Sequence, residues 1–86
     1  MPTLQIQFKQ AQEETNNLPE RPDNDTLLEL YALYKQGTIG DIQGDPPDAF
    51  DFVRRMKYEA WQKLRGTKQE DAMRKYIALV ADLKGK

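Results

Sequence analysis

The chain reads as an all-α protein, a small four-helix bundle, on three observations. Apolar residues recur at three- and four-residue spacings in four separate segments. Pro19, Pro22, Gly37, Gly40, Gly44, Pro46, Pro47 and Gly66 fall in the breaks between those segments. Nothing alternates with a period of two, and no Asn-Gly hairpin occurs. Eighty-six residues make one domain, 1–86, and four amphipathic segments of this length bury their apolar faces by packing together.

The first helix is expected over about 4–18. Leu4, Phe8, Ala11, Thr15 and Leu18 form its stripe, and Pro19 stops it. Pro19 and Pro22 hold the connector extended, and Asn24 or Asp23 caps the second helix, about 25–37. Leu27, Leu30, Tyr31 and Tyr34 are its i, i+3, i+4 and i+7 positions, Leu28 and Ala32 widen the apolar arc, and Gly37 suits a C-cap. Residues 38–50 form a long loop that permits an overhand crossing instead of a simple up-down order. The third helix, about 49–65, carries Phe52, Met56, Ala60 and Leu64 on one stripe and Val53, Lys57 and Trp61 beside it. Gly66 ends it. Thr67-Lys68-Gln69-Glu70 is a capping box that opens the fourth helix, about 68–84, built on Ala72, Met73, Tyr76, Ile77, Val80 and Leu83.

Composition excludes most chemistry. The chain has no Cys and no His, so disulfides, thiolate metal sites and Ser-His or Cys-His nucleophilic catalysis are ruled out within a single chain. No enzyme activity, metal or cofactor is expected. Asp41, Asp45, Asp48 and Asp51 do not match a calcium-binding loop. No run of about 18 apolar residues exists, so no stable membrane insertion is expected. The N-terminus lacks a basic and then apolar leader, which points to a cytoplasmic protein. Net charge −1 argues against nucleic acid, although Arg54, Arg55, Lys57, Lys63, Arg65 and Lys68 face only Glu59 between them.

Three groups of residues are candidates for binding. Tyr31, Tyr34 and Lys35 project from one helix face, so two rings beside an ammonium suit an aromatic, phosphorylated ligand; equally, both tyrosines suit a core with hydroxyls at the surface. Arg54, Arg55 and Lys57 suit a phosphate or form a solvated helix face. Tyr76 and Trp61 lie on apolar stripes and read first as core residues.

The stretch from Pro22 to Asp41, with Tyr31-x-x-Tyr34-Lys35-Gln36 followed by Gly40-Asp41, resembles the signature of the acyl-CoA-binding protein family. Phe8 with Ala11, Lys57 through Trp61, and Leu64-x-Gly66-Thr67-x-x-Glu70-Asp71-Ala72-Met73-x-x-Tyr76-Ile77 agree in order and spacing. The resemblance implies a four-helix bundle that holds a long-chain acyl-CoA and carries it without hydrolysis. It implies that Tyr31 handles adenine and the 3′-phosphate, that Lys35 and Lys57 meet that phosphate, and that Tyr34 and Tyr76 line the nucleotide part. Leu27, Leu28 and Met56 would form the acyl groove. The chain departs from the family at Asn16 and Val53, where basic residues are common, at Tyr58, where Trp is common, and at Gly37, where Ala is common and Gly would shorten the second helix. Arg54, Arg55 or Lys9 are the cations available to compensate.

The function expected is therefore reversible binding of long-chain acyl-CoA as an intracellular carrier and pool, by a monomer that meets acyl-CoA-using enzymes transiently. The alternative is a helical protein-interaction module that has kept the fold and lost the site.

Overall fold

The computed structural model describes residues 3–85, which form α1 (Leu4–Glu14), α2 (Asn24–Thr38), α3 (Phe52–Gln62) and α4 (Gln69–Lys84), with a 3-10 turn at Thr15–Asn17. Met1, Pro2 and Lys86, the ends of the expected domain, lie outside the described residues. No strand occurs among the described residues, and no helix is long and apolar enough to cross a membrane.

Side chains start three of the helices. The Thr3 hydroxyl accepts from the Ile6 amide, the Asp23 carboxylate from Thr26 and the Asp51 carboxylate from Arg54. The fourth start corrects the expectation. Lys68 occupies the N-cap position of α4 without a side-chain hydrogen bond, so the Thr67–Glu70 capping box is not what opens it. Thr67 serves instead through its carbonyl, which accepts from the Gln36 side chain at 2.7 Å.

The helix ends differ too. α1 gives way at Glu14 to a tighter turn, where the Thr15 hydroxyl donates to the Gln12 carbonyl. α3 begins after Asp51 and stops at Gln62. Three-residue bonds, Leu64 to Trp61 and Arg65 to Gln62, then wind the chain to Gly66 at φ +89°. Gly37 neither caps nor shortens α2, which runs on to Thr38, while Gly40 supplies the positive φ, +97°. Gly37 serves packing: a Cβ there would lie 3.0 Å from Phe8 Cζ and 3.2 Å from Met73 Cγ, so its absence lets α1 and α4 close on α2.

Pairings across the bundle give its topology. Tyr31 of α2 meets Lys57 of α3, and Lys35, one turn on, meets Trp61, one turn on, so α2 and α3 run in the same direction. The long 39–51 loop makes the overhand crossing that this needs. Tyr76 meets Tyr34 and Gln69 meets Thr38, so α4 runs antiparallel to α2. The Lys84 ammonium pairs with Glu14 at the far end of α1.

The core lies between α1, α2 and α4. Phe8, Ala11, Leu30, Leu33, Ala72, Tyr76, Val80 and Leu83 form one buried cluster. Full burial of each large apolar side chain contributes about 1.5–3 kcal/mol. Phe8 meets Tyr76 edge to face at 5.1 Å and 88°, an arrangement aromatic quadrupoles favour. Helix α3 contributes no fully buried side chain and rests on α2 as an outlying element. Its position is set by the loop, whose Ile42 is 3% exposed.

Candidate functional site

The parallel course of α2 and α3 brings two i, i+4 pairs into register, Tyr31 with Lys35 and Lys57 with Trp61. The Lys35 ammonium stands 5.8 Å and the Lys57 ammonium 5.2 Å from the centroid of the half-buried Tyr31 ring. Among the described residues neither ammonium has a carboxylate within salt-bridge reach, whereas Arg54 pairs with Asp51 and Arg55 with Glu59. Two cations held on one ring repel each other, and an anion placed between them relieves that repulsion. The ring itself attracts both.

Tyr31 stands between two hollows. On one side, about 380 Å³ is bounded by Tyr31, Ile42, Arg54, Lys57, Tyr58 and Trp61. On the other, about 370 Å³ is bounded by Asn16, Leu27, Leu30, Tyr31, Tyr34 and Tyr76. Each is lined by three aromatic rings, but only the first carries cations, Arg54 and Lys57, while the second adds Leu18, Leu27 and Leu30. Tyr76 is 5% exposed, packed in the core edge to face with Phe8 and tilted against Tyr34, while bordering the second hollow. Burial pushes its phenol up, and the Thr15 side chain works against that to a lesser degree.

A third groove, about 490 Å³, runs along the α2–α3 seam. Leu28, Ala32, Met56, Ala60 and Leu64 give it an apolar floor, and the exposed Asp25, Glu29, Glu59 and Lys63 flank it. Leu28 and Met56 thus line the same groove. Leu27 is not with them, because successive helical residues point about 100° apart; it turns to the aromatic hollow.

The departures from the family pattern also have places. Asn16 borders the aromatic hollow, and Val53 is 63% exposed. Arg54 borders the cation-rich hollow, and Arg55 a different pocket beside Pro46. Phe52, 73% exposed, continues the apolar stripe of α3 one turn beyond Met56, and Phe50, in the loop before α3, is 89% exposed.

Trp61, expected in the core, is half-buried and forms a wall of the cation-rich hollow. Its indole N–H donates to the Gly40 carbonyl at 2.9 Å and to Gln36 Oε1 at 3.1 Å. Gln36 is 0% exposed, and its amide nitrogen donates to Asp41 Oδ1 at 2.9 Å and to the Thr67 carbonyl. The Asp41 carboxylate also accepts from the Gly66 amide. That backbone bond, then the Gln36 amide, with the Arg65 charge a smaller contributor, hold the Asp41 carboxyl below the ordinary carboxylate range, against a small opposing effect of burial. No buried side-chain polar atom among the described residues lacks a partner. Gln36 and Asp41 stood inside the signature stretch, but nothing local marked them as a hub joining α2, the loop and the α3–α4 turn.

Comparison with known proteins bears on this arrangement. Residues 5–80 match the family model described as acyl CoA binding protein. The acyl-CoA-binding protein of Saccharomyces cerevisiae is 50% identical over 76 residues, covering 88% of this chain and 87% of the relative. Acyl-CoA-binding protein homolog 1 of Caenorhabditis elegans is 41% identical over 80 residues, 93% of each chain. Among solved structures, the crystal structure of Oryza sativa acyl-CoA-binding protein 2 superposes with a TM-score of 0.90 at 37% identity, covering 94% of this chain and 90% of that one. The solution structure of the yeast acyl coenzyme A binding protein gives 0.72 at 49% identity, covering 91% of each.

Proposed function

The chain belongs to the acyl-CoA-binding protein family, and from that premise we propose that it binds long-chain fatty acyl-CoA thioesters reversibly, as a carrier and pool that leaves the ligand chemically unchanged. The observation that carries this is the pair of ammoniums, Lys35 and Lys57, held on Tyr31 with no carboxylate within salt-bridge reach among the described residues. A 3′-phosphate with a charge of about −1.5 to −2 suits that position. Tyr31 then receives the adenine, whose stacking on an aromatic ring is worth roughly 1–3 kcal/mol, and Tyr34 and Tyr76 line the nucleotide part. Leu28 and Met56 take the acyl chain along the α2–α3 groove, and Leu27 lies at the nucleotide side.

The free energies divide between the two ends. Each methylene removed from water contributes about 0.8 kcal/mol, so a long tail supplies affinity in proportion to its length. The charged head supplies selectivity, because free fatty acid lacks it. With no His or Cys in the chain, no nucleophile–imidazole or thiolate pair stands ready to attack the thioester. On this reading the protein acts as a cytoplasmic monomer and passes its ligand to acyl-CoA-using enzymes through transient contacts.

Calorimetric titration with palmitoyl-CoA, free CoA and palmitate tests the proposal. Tight, saturable binding of the first and far weaker binding of the other two is expected. Equal or absent binding of all three overturns it and leaves a bundle that has kept the fold and lost the site.

A further inference from the structure

We propose that Trp61 is a positioning residue: pinned through its indole N–H, it holds the Lys35 ammonium in place and so sets the preference for ligands that carry a 3′-phosphate. This rests on the reading of Lys35 as a phosphate contact.

The orientation of the indole is over-determined. Its N–H donates to the Gly40 carbonyl and to Gln36 Oε1. The Gln36 amide cannot turn over, because its NH2 faces two acceptors, Asp41 Oδ1 and the Thr67 carbonyl, and its oxygen faces the indole donor. With its side chain 0% exposed, no water competes for these bonds. Asp41 is fixed in turn by the Gly66 amide. The ring plane is therefore set by α2, the loop and the α3–α4 turn together.

The face of that ring stands 6.0 Å from Lys35 Nζ, and the Tyr31 ring stands 5.8 Å from it. Lys35 lies between two aromatic faces, which narrows the sweep of a four-carbon stem that otherwise samples many rotamers. Lys57 meets Tyr31 but has no contact with Trp61 of this kind. Loosening Trp61 thus acts through Lys35 and spares Lys57.

Trp61→Phe keeps an aromatic ring and removes the N–H. It is titrated with palmitoyl-CoA and with palmitoyl-dephospho-CoA, the same thioester without the 3′-phosphate, in wild-type and Lys35→Met backgrounds. The expected result is a loss of about 3- to 10-fold for palmitoyl-CoA, the scale of a cation–π contact together with its orientation. Binding of palmitoyl-dephospho-CoA is unchanged, and Trp61→Phe has no further effect once Lys35 is Met. Equal loss on both ligands, no loss, or an undiminished effect in the Lys35→Met background overturns the inference. Should Trp61→Phe fail to fold by circular dichroism, the wild type carries the test by NMR. Lys35 side-chain protons shifted upfield by the two rings and a slowly exchanging indole N–H support it; random-coil Lys35 shifts or fast indole exchange overturn it. A wild type that does not distinguish the two thioesters removes the phosphate reading itself, whereas a discriminating wild type whose preference is undiminished in Trp61→Phe removes this inference alone.

Discussion

Replacing Lys57 with Met keeps most of the stem and deletes one of the two charges on the Tyr31 ring. Lys57 is exposed, so its attraction to a ligand phosphate belongs near the high-dielectric limit. One ammonium about 4 Å from a phosphate dianion gains about 2 kcal/mol in bulk water. At roughly 0.15 M salt the screening length of about 8 Å leaves about 1.2 kcal/mol, and at about 1 M, where it is near 3 Å, about 0.5 kcal/mol remains. The expected loss of palmitoyl-CoA affinity is therefore about 7-fold at the lower salt and about 2-fold at the higher. Folding stability should stay within about 0.5 kcal/mol of wild type, since Lys57 has no ion pair among the described residues and its removal relieves repulsion from Lys35. Calorimetry at the two salt concentrations, with a thermal melt of each protein, measures all three quantities. A loss that does not shrink with salt, or one equally large for palmitoyl-dephospho-CoA, would refute the electrostatic account and leave Lys57 acting through its methylenes.

Two further outcomes concern the frame of the site. Leu33, 3% exposed in the central cluster, should cost about 2–4 kcal/mol as Leu33→Ala and lower the melting temperature by roughly 10–25 °C; a shift under about 5 °C would contradict its place in the core. The Asp41 carboxyl is held below its ordinary value in the folded state, so its contribution to stability is present above about pH 4 and is lost as pH falls through the folded value. Melting temperatures of wild type and Asp41→Asn should therefore converge on acidification, and curves that stay parallel down to about pH 2 would show that this carboxylate does not couple to folding.

What was legible in the sequence was what repeats locally. The spacing of Leu27, Leu30, Tyr31 and Tyr34, or of Ala72, Tyr76, Val80 and Leu83, states which face of a helix is apolar, and the four helices follow. The face shared by Tyr31 and Lys35 was legible for the same reason. Helix boundaries were less so, because a terminus is decided by whatever else claims its groups. Thr67 looked like an N-cap until the Gln36 side chain, 31 residues away, is seen bonded to its carbonyl. Gly37 looked like a C-cap, yet its missing side chain makes room for Phe8 and Met73, while Gly40 turns the chain. Leu27 and Leu28, adjacent in sequence, were grouped as one wall although a helix points them to different hollows. The Trp61–Gln36 contact spans 25 residues with no periodic signal on either side, so an apolar stripe position stood for what is a hydrogen-bonded wall.

Trp61 is the only tryptophan in the chain. Excited at wavelengths that tyrosine does not absorb, its fluorescence originates from one place, the join between α2, the loop and α3, and carries no signal from the Phe8–Tyr76 core. Emission followed during denaturation tracks the release of α3 from its neighbours, while far-ultraviolet circular dichroism tracks all four helices. Coincident transitions mean that the outlying helix and the three-helix core melt as one cooperative unit; an earlier fluorescence transition means that the binding face can open while the rest of the bundle stays closed.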